Sequence, residues 1–278
     1  MKKIFKRIFR ITVLAFLTAI LTIATIVLFP QYLFAHKIEY KNFRVYSNGK
    51  IDDNIKTVLD NALTLVKRSE MNDSNYKYNI ILCYKSFYNL IDEKLLGVGR
   101  TARATLNNVI IKVRIDPANN LAFPTFHKSC EVDLTELLAH EMTHCLQANK
   151  YGIMKFNPYR HPEFWKLEGY PEYISKQKEI SNENYSLASD IARYVSNLSK
   201  ANGVWILEDE GGCEVPDYYY RERLMIEYLM DARHFSYDKI LHDTVSENTV
   251  YQKMIKWSQT KVEYKNSTSR ALTVTGKP

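Results

Sequence analysis

The longest apolar run in the chain comes first. Residues 11–29 read ITVLAFLTAILTIATIVLF and carry no charge. A helix of about 20 apolar residues crosses the hydrocarbon core of a bilayer. Beyond it the runs shorten. Residues 43–46 fit a short strand, and Asn48-Gly49 a turn. Ile55, Val58, Leu59, Ala62, Leu63 and Val66 recur at helical spacing, predicting a helix that Asp52 or Asp53 caps and that reaches about Lys67. Residues 78–84 and 109–115 are apolar runs of strand length, the second ended by Asp116-Pro117. After Cys130 the spacing becomes helical through 134–149, 170–178, 185–198 and 219–232. From Ser258 the chain is polar and reads as a loose tail. The expected fold is α+β. A transmembrane segment within residues 1–37 precedes a domain at 38–257, with a mixed first half, a small sheet and a mainly helical second half. A polar tail occupies 258–278.

Charge sharpens the N-terminal reading. The chain has 38 Lys plus Arg against 31 Asp plus Glu, a net charge of +7. Lys2, Lys3, Lys6, Arg7 and Arg10 account for five of those seven units and all precede the apolar run. A basic excess so localised argues against a nucleic-acid-binding domain. Basic residues ahead of an apolar helix mark the cytoplasmic side. The expectation is a single-pass anchor in the lipid bilayer, with the N-terminus cytoplasmic and the domain extracytoplasmic. A cleaved signal peptide is the competing reading, but its apolar region is usually shorter and Leu33-Phe34-Ala35 is a poor cleavage site. Cys83 and Cys145 fall in apolar surroundings and read as core thiols. Cys130 and Cys213 lie in polar stretches and are the better disulfide candidates.

Chemistry enters at His140-Glu141-Met142-Thr143-His144, an H-E-x-x-H pattern. With 7 His in 278 residues, chance yields it in about one such chain in a hundred. Asp133 and Glu136 have capping-box spacing, so a helix should start just upstream. Two histidines four residues apart then share one helix face and can chelate a single zinc ion. Glu141, about 100° around the helix, is free to take a proton from a metal-activated water. The bland alternative is a polar patch on an amphipathic helix. The flanking Leu137, Leu138, Leu146 and Ala148 argue for burial instead, and buried imidazoles need partners.

A second segment follows: Trp165-Lys166-Leu167-Glu168-Gly169-Tyr170-Pro171-Glu172-Tyr173. The pair HEMTH and WKLEGYPEY resembles the gluzincin zinc metallopeptidases, particularly the peptidase-MA-like group, where a W-L-x-E-G-x-A-E-Y-like segment follows the H-E-x-x-H helix. The likeness is specific over roughly residues 134–175 and elsewhere is only an order of elements. It implies a zincin-like domain with the metal site in a cleft between its halves. His140, His144 and Glu168 would hold one Zn2+ per chain, with Glu141 as general base and a peptide or protein as substrate. Glu172 has the position for a carboxylate that orients a ligating imidazole. Pro171 stands where the family has a small residue. Because proline is poorly tolerated inside a helix, the glutamate helix is expected to begin near Glu168.

The resemblance also asks for an oxyanion donor on a tyrosine ahead of a later helix. Tyr219 is the first candidate, with Tyr220 and then His234 as alternatives. Arg223, one turn after Tyr219, reads as a solvated arginine or a ligand for a substrate carboxylate. Strand 109–115, just before the metal helix, is a candidate edge for pairing with an extended peptide. The reading is a membrane-anchored zinc metallopeptidase. The alternative, motivated by Pro171, is a catalytically inactive zinc-binding module that serves as a tethered binding protein. A membrane-surface adaptor using the basic head is a third, weaker reading.

Overall fold

The structure is a computed structural model and describes residues 2–96, 101–124, 131–153, 155–156, 161–201, 204–207 and 214–274. His127, Cys130 and Cys213 lie outside the described residues. The chain is mixed α+β, with one apolar helix at its N-terminus. That helix, α1 (Lys2–Leu28), contains the stretch Ile4–Leu28, within which an 18-residue window has mean hydropathy 2.6 and no buried residue. A single 3-10 turn, Pro30–Leu33, leads out of it.

Five strands build the main sheet: β1 (His36–Tyr40), β2 (Phe43–Ser47), β3 (Tyr78–Leu82), β4 (Ala102–Thr105) and β5 (Asn108–Ile111). Their order is β1-β2-β3-β5-β4. The β2, β3 and β5 strands run parallel, and β1 and β4 are antiparallel edges. Side chains alternate between the two faces of a strand. Val45, Ile80, Val109 and Ile111 therefore enter the main core with α2 (Ile55–Val66), while Tyr46, Ile81 and Ile110 form a second cluster behind the sheet. Burial on both faces explains why these strands read as continuous apolar runs. On the rear face lies α3 (Phe87–Leu96), whose Tyr88 joins that cluster.

Residues 109–115 do not form one strand. The run divides into β5 and β6 (Arg114–Asp116), which pairs with β7 (Leu121–Phe123), itself paired to β8 (Val132–Asp133). Flanked by β3 and β4, β5 has no free edge. In the main sheet the edge is instead β4, which packs beside the next helix. Sheet order, which a strand's own composition does not encode, overturns the expectation for β5, while β6 is an edge of its own three-stranded sheet.

Helices then follow: α4 (Leu134–Tyr151), α5 (Phe164–Ser175), α6 (Gln177–Ile180) and α7 (Leu187–Leu198). A short antiparallel pair, β9 (Trp205–Leu207) and β10 (Glu214–Pro216), precedes α8 (Asp217–Glu227). A π turn extends α8 over Tyr228–Ala232, and α9 (Tyr237–His242) and α10 (Glu247–Val274) complete the chain. As far as Val274, the segment after Ser258 is thus helical and not a loose tail. It continues α10, and Ser258 itself is buried, its hydroxyl bonded to the Ile255 carbonyl at 2.8 Å. Val250, Met254 and Trp257 tie that helix to the main core.

Candidate metal centre

The site is built on α4 and α5. Asp133 caps α4 by accepting the Glu136 amide at 3.0 Å, a contact worth about 1 kcal/mol. Asn120 braces the same turn, donating to Asp133 at 2.9 Å and accepting the Thr135 amide at 3.0 Å. Glu136 does not complete a reciprocal box. Its carboxylate pairs instead with Lys176 Nζ at 2.9 Å, fastening the start of α4 to the end of α5. Cys145 and Cys83 are buried free thiols, and burial pushes the Cys83 thiol up to about 12.

His140, His144 and Glu168 converge. His140 Nε2 and His144 Nε2 are 3.1 Å apart, and Glu168 Oε2 is 3.4 Å from the first and 3.3 Å from the second. Four ligands at about 2.0–2.1 Å in a tetrahedron stand roughly 3.3–3.4 Å from one another. The triangle therefore has the size of three corners of a zinc site.

The outer nitrogens support the same chemistry. His140 Nδ1 faces Glu172 Oε1 at 3.1 Å. His144 Nδ1 lies 2.7 Å from Gln147 Oε1. Gln147 Nε2 donates to the Leu167 carbonyl at 3.0 Å and to Tyr237 Oη at 2.7 Å. A carbonyl only accepts, so the amide nitrogen must face Leu167 and its oxygen must face His144. A neutral His144 therefore carries its proton on Nδ1 and leaves its Nε2 lone pair for a metal. His140, His144 and Glu168 could hold a metal ion at their centre.

Without a metal, the carboxylates favour protons on the same two rings. Burial opposes charge on His140, but Glu172, Glu168 and Glu141 outweigh it and raise its pKa well above the ordinary value. His144 is raised in the same way, against burial, chiefly by Glu168. Burial works against the Glu168 carboxylate too, yet the two imidazoles hold it far below the usual range. Glu141 is buried, and that burial raises its pKa although both histidines pull it down.

Pro171 does not move the start of the glutamate helix, which begins at Phe164 with Pro171 inside it. A proline there lacks the N–H that would bond the carbonyl four residues back. That carbonyl is Leu167, and Gln147 satisfies it. Gly169 allows α5 to meet α8 closely, since a Cβ at that position would lie 2.7 Å from the Glu222 carbonyl oxygen.

Of the oxyanion candidates, Tyr219 reaches the site. Its ring meets that of His140 edge-on, centroids 6.1 Å apart. Burial, with Glu168 adding, lifts its pKa well above the usual tyrosine value, so it remains a donor. Tyr220 is buried on the other side of α8, its hydroxyl bonded to Asp190 and accepting from Arg193 at 3.1 Å. His234 is exposed past the π turn, with a left-handed φ of 56°. Arg223 is neither solvated nor in the site: it is 2% exposed and paired to Asp190 at 2.7 Å and Glu227 at 3.1 Å.

Two parts of the site escaped the sequence reading. Gln147 was detectable in principle, as a polar residue one turn after His144. The buried group of Asp92 with Arg103 (2.8 Å) and Lys112 (3.1 Å) was not, because three segments contribute it. It braces β4, and Arg103 also lowers the pKa of Glu141. No protein-family model, curated protein or solved structure matches the chain.

Proposed function

We propose that the chain is a membrane-anchored zinc metallopeptidase with a zincin-like, gluzincin-type domain outside the cytoplasm. The observation that carries this reading is the triangle of His140 Nε2, His144 Nε2 and Glu168 Oε2, with sides of 3.1, 3.3 and 3.4 Å. His144 Nδ1 is held by Gln147 at 2.7 Å, His140 Nδ1 faces Glu172 at 3.1 Å, and a carboxylate, Glu141, sits between the two histidines in sequence.

His140, His144 and Glu168 would hold the zinc, which would supply a water of pKa near 7 and polarisation of a carbonyl. Glu141 accepts the proton of the attacking water and passes it to the leaving amine; its raised pKa suits a group that must do both. The Tyr219 hydroxyl donates to the oxygen on which negative charge develops. Glu172 and Gln147 hold the two imidazoles in orientation.

The test uses the full-length chain in detergent or nanodiscs. About one zinc per chain and cleavage within a diverse peptide library are expected. Glu141→Gln should keep the metal and lose cleavage, while Glu168→Ala should lose the metal. Zinc retention without cleavage by the unmutated chain would favour the inactive tethered module. Failure to take up zinc would sink the site itself.

A further inference from the structure

The end of α1 belongs to the domain as well as to the apolar segment. Ile26 and Phe34, on either side of the exit from α1, pack against the rear sheet cluster of Tyr46, Ile81, Cys83, Tyr88 and Ile110. The Phe34 ring meets that of Tyr88 edge-on, centroids 6.1 Å apart. Asn108 of β5 donates its Nδ2 to the Leu28 carbonyl at 2.9 Å, satisfying one of the acceptors a helix end leaves open. The domain is docked on the last turn of α1 and does not hang from it on a linker.

That docking sets the height of the domain. The uncharged part of α1 is residues 11–28. At about 1.5 Å per residue it reaches roughly 27 Å, close to a hydrocarbon core of about 30 Å. With α1 in a bilayer, its last turn and the sheet face covering it lie at headgroup level.

The neighbouring surface is apolar. Phe29, Tyr32 and Leu33 at the exit are 43%, 81% and 43% exposed. Tyr84, just before α3, is 41% exposed, and Phe87 and Leu90 on it are 73% and 52% exposed. Within α3, Tyr88 and Asp92 point into the fold. Phe87, Leu90 and Lys94 have i, i+3, i+7 spacing and form the opposite stripe. A short helix with exposed Phe and Leu on one stripe, tyrosines beside it and a lysine at its end has the make-up of an interfacial segment.

We propose that α3 lies on the surface of the bilayer that α1 enters, as a second lipid contact. Phe87 and Leu90 reach the acyl boundary, with Tyr32 and Tyr84 among the headgroups. Continuity decides the occupant: α3 and the last turn of α1 cover the same sheet face, so lipid around α1 meets α3. Asp92 of α3 is bonded to Arg103 of β4, the strand beside the metal helix, at 2.8 Å. The candidate site is therefore held at a fixed distance from the membrane, which favours peptide segments presented at its surface. The proposal rests on α1 being retained as a membrane helix, and its test separates the two.

The full chain is placed in phosphatidylcholine nanodiscs with and without brominated acyl chains. Tryptophan is introduced singly at Phe87→Trp, with Leu90→Trp as a second probe should the first not fold. Ile20→Trp reports on α1, and Leu207→Trp, on β9 and 40% exposed, is the control. After subtraction of the unmutated chain, bromine should quench the Phe87 or Leu90 probe about twofold or more beyond the control. Quenching at Ile20 with the α3 probes no different from the control would overturn the surface contact alone. Absence of quenching at Ile20 as well would overturn the anchor and the contact together.

Discussion

Gln147 donates its Nε2 to the Leu167 carbonyl at 3.0 Å, and that carbonyl is open because Pro171, four residues on, has no N–H to offer. The other end of the same amide accepts from His144 at 2.7 Å. A proline that looks disruptive in sequence is thereby part of what fixes a ligand's tautomer. Gln147→Ala should lower zinc affinity by about 10–100-fold, the usual cost of losing an orienting partner behind a metal ligand. Competition with a chelator measures this. Unchanged affinity in a folded variant would mean that His144 needs no such support.

The apoprotein and the zinc form should respond to pH with opposite sign. His140 gains its pKa elevation against burial, from Glu172, Glu168 and Glu141. A folded pKa above the unfolded value of roughly 6.5 gives stability that is fully present below that value. It is lost as pH rises through the folded pKa. Zinc replaces the protons, so zinc affinity climbs over the same range. Melting temperatures with chelator should fall from pH 6 toward higher pH, and the gap between the zinc and chelator curves should widen.

Adjacent tyrosines should separate catalysis from stability. Tyr219 adjoins His140, and Tyr219→Phe should keep zinc while reducing kcat by about 100-fold. Tyr220 is bonded to Asp190 in a buried network. Tyr220→Phe should cost about 1–3 kcal/mol of stability and leave the turnover of folded protein unchanged. Steady-state kinetics beside thermal melts distinguish them. The reverse pattern would transfer the donor role to Tyr220.

Gly169→Ala should damage the site from behind. The added Cβ meets the Glu222 carbonyl oxygen at 2.7 Å and Ile226 Cγ1 at 2.9 Å. Overpacking of this kind costs about 1–3 kcal/mol. Relief requires α8 to move away from α5, taking Tyr219 with it. Lower thermal stability together with reduced kcat is expected. A neutral substitution would show that the two helices are not tightly registered here.

Local information sufficed for much of this. Residues four apart on a helix share a face, so His140 and His144 were paired before any fold was known. The α2 face, the apolar strands and the cap at Asp133 follow from periodicity and capping chemistry. Composition misled after Ser258, where the chain continues α10 as far as Val274, a helix whose first turns pack on the core. Proline propensity misled at Pro171, because the compensating donor comes from another helix.

Sequence alone therefore determined the apolar N-terminal helix, the pairing of two imidazoles and the nearby carboxylate, since each depends on residues within a few turns. Tertiary structure decided the rest. It brought Glu168 within 3.4 Å of both imidazoles, set the Tyr219 ring and not Tyr220 beside His140, made β4 the edge beside α4 and docked α1 on the sheet. Those relations depend on how helices cross and strands order themselves. Long-range packing sets both, and no local pattern carries them.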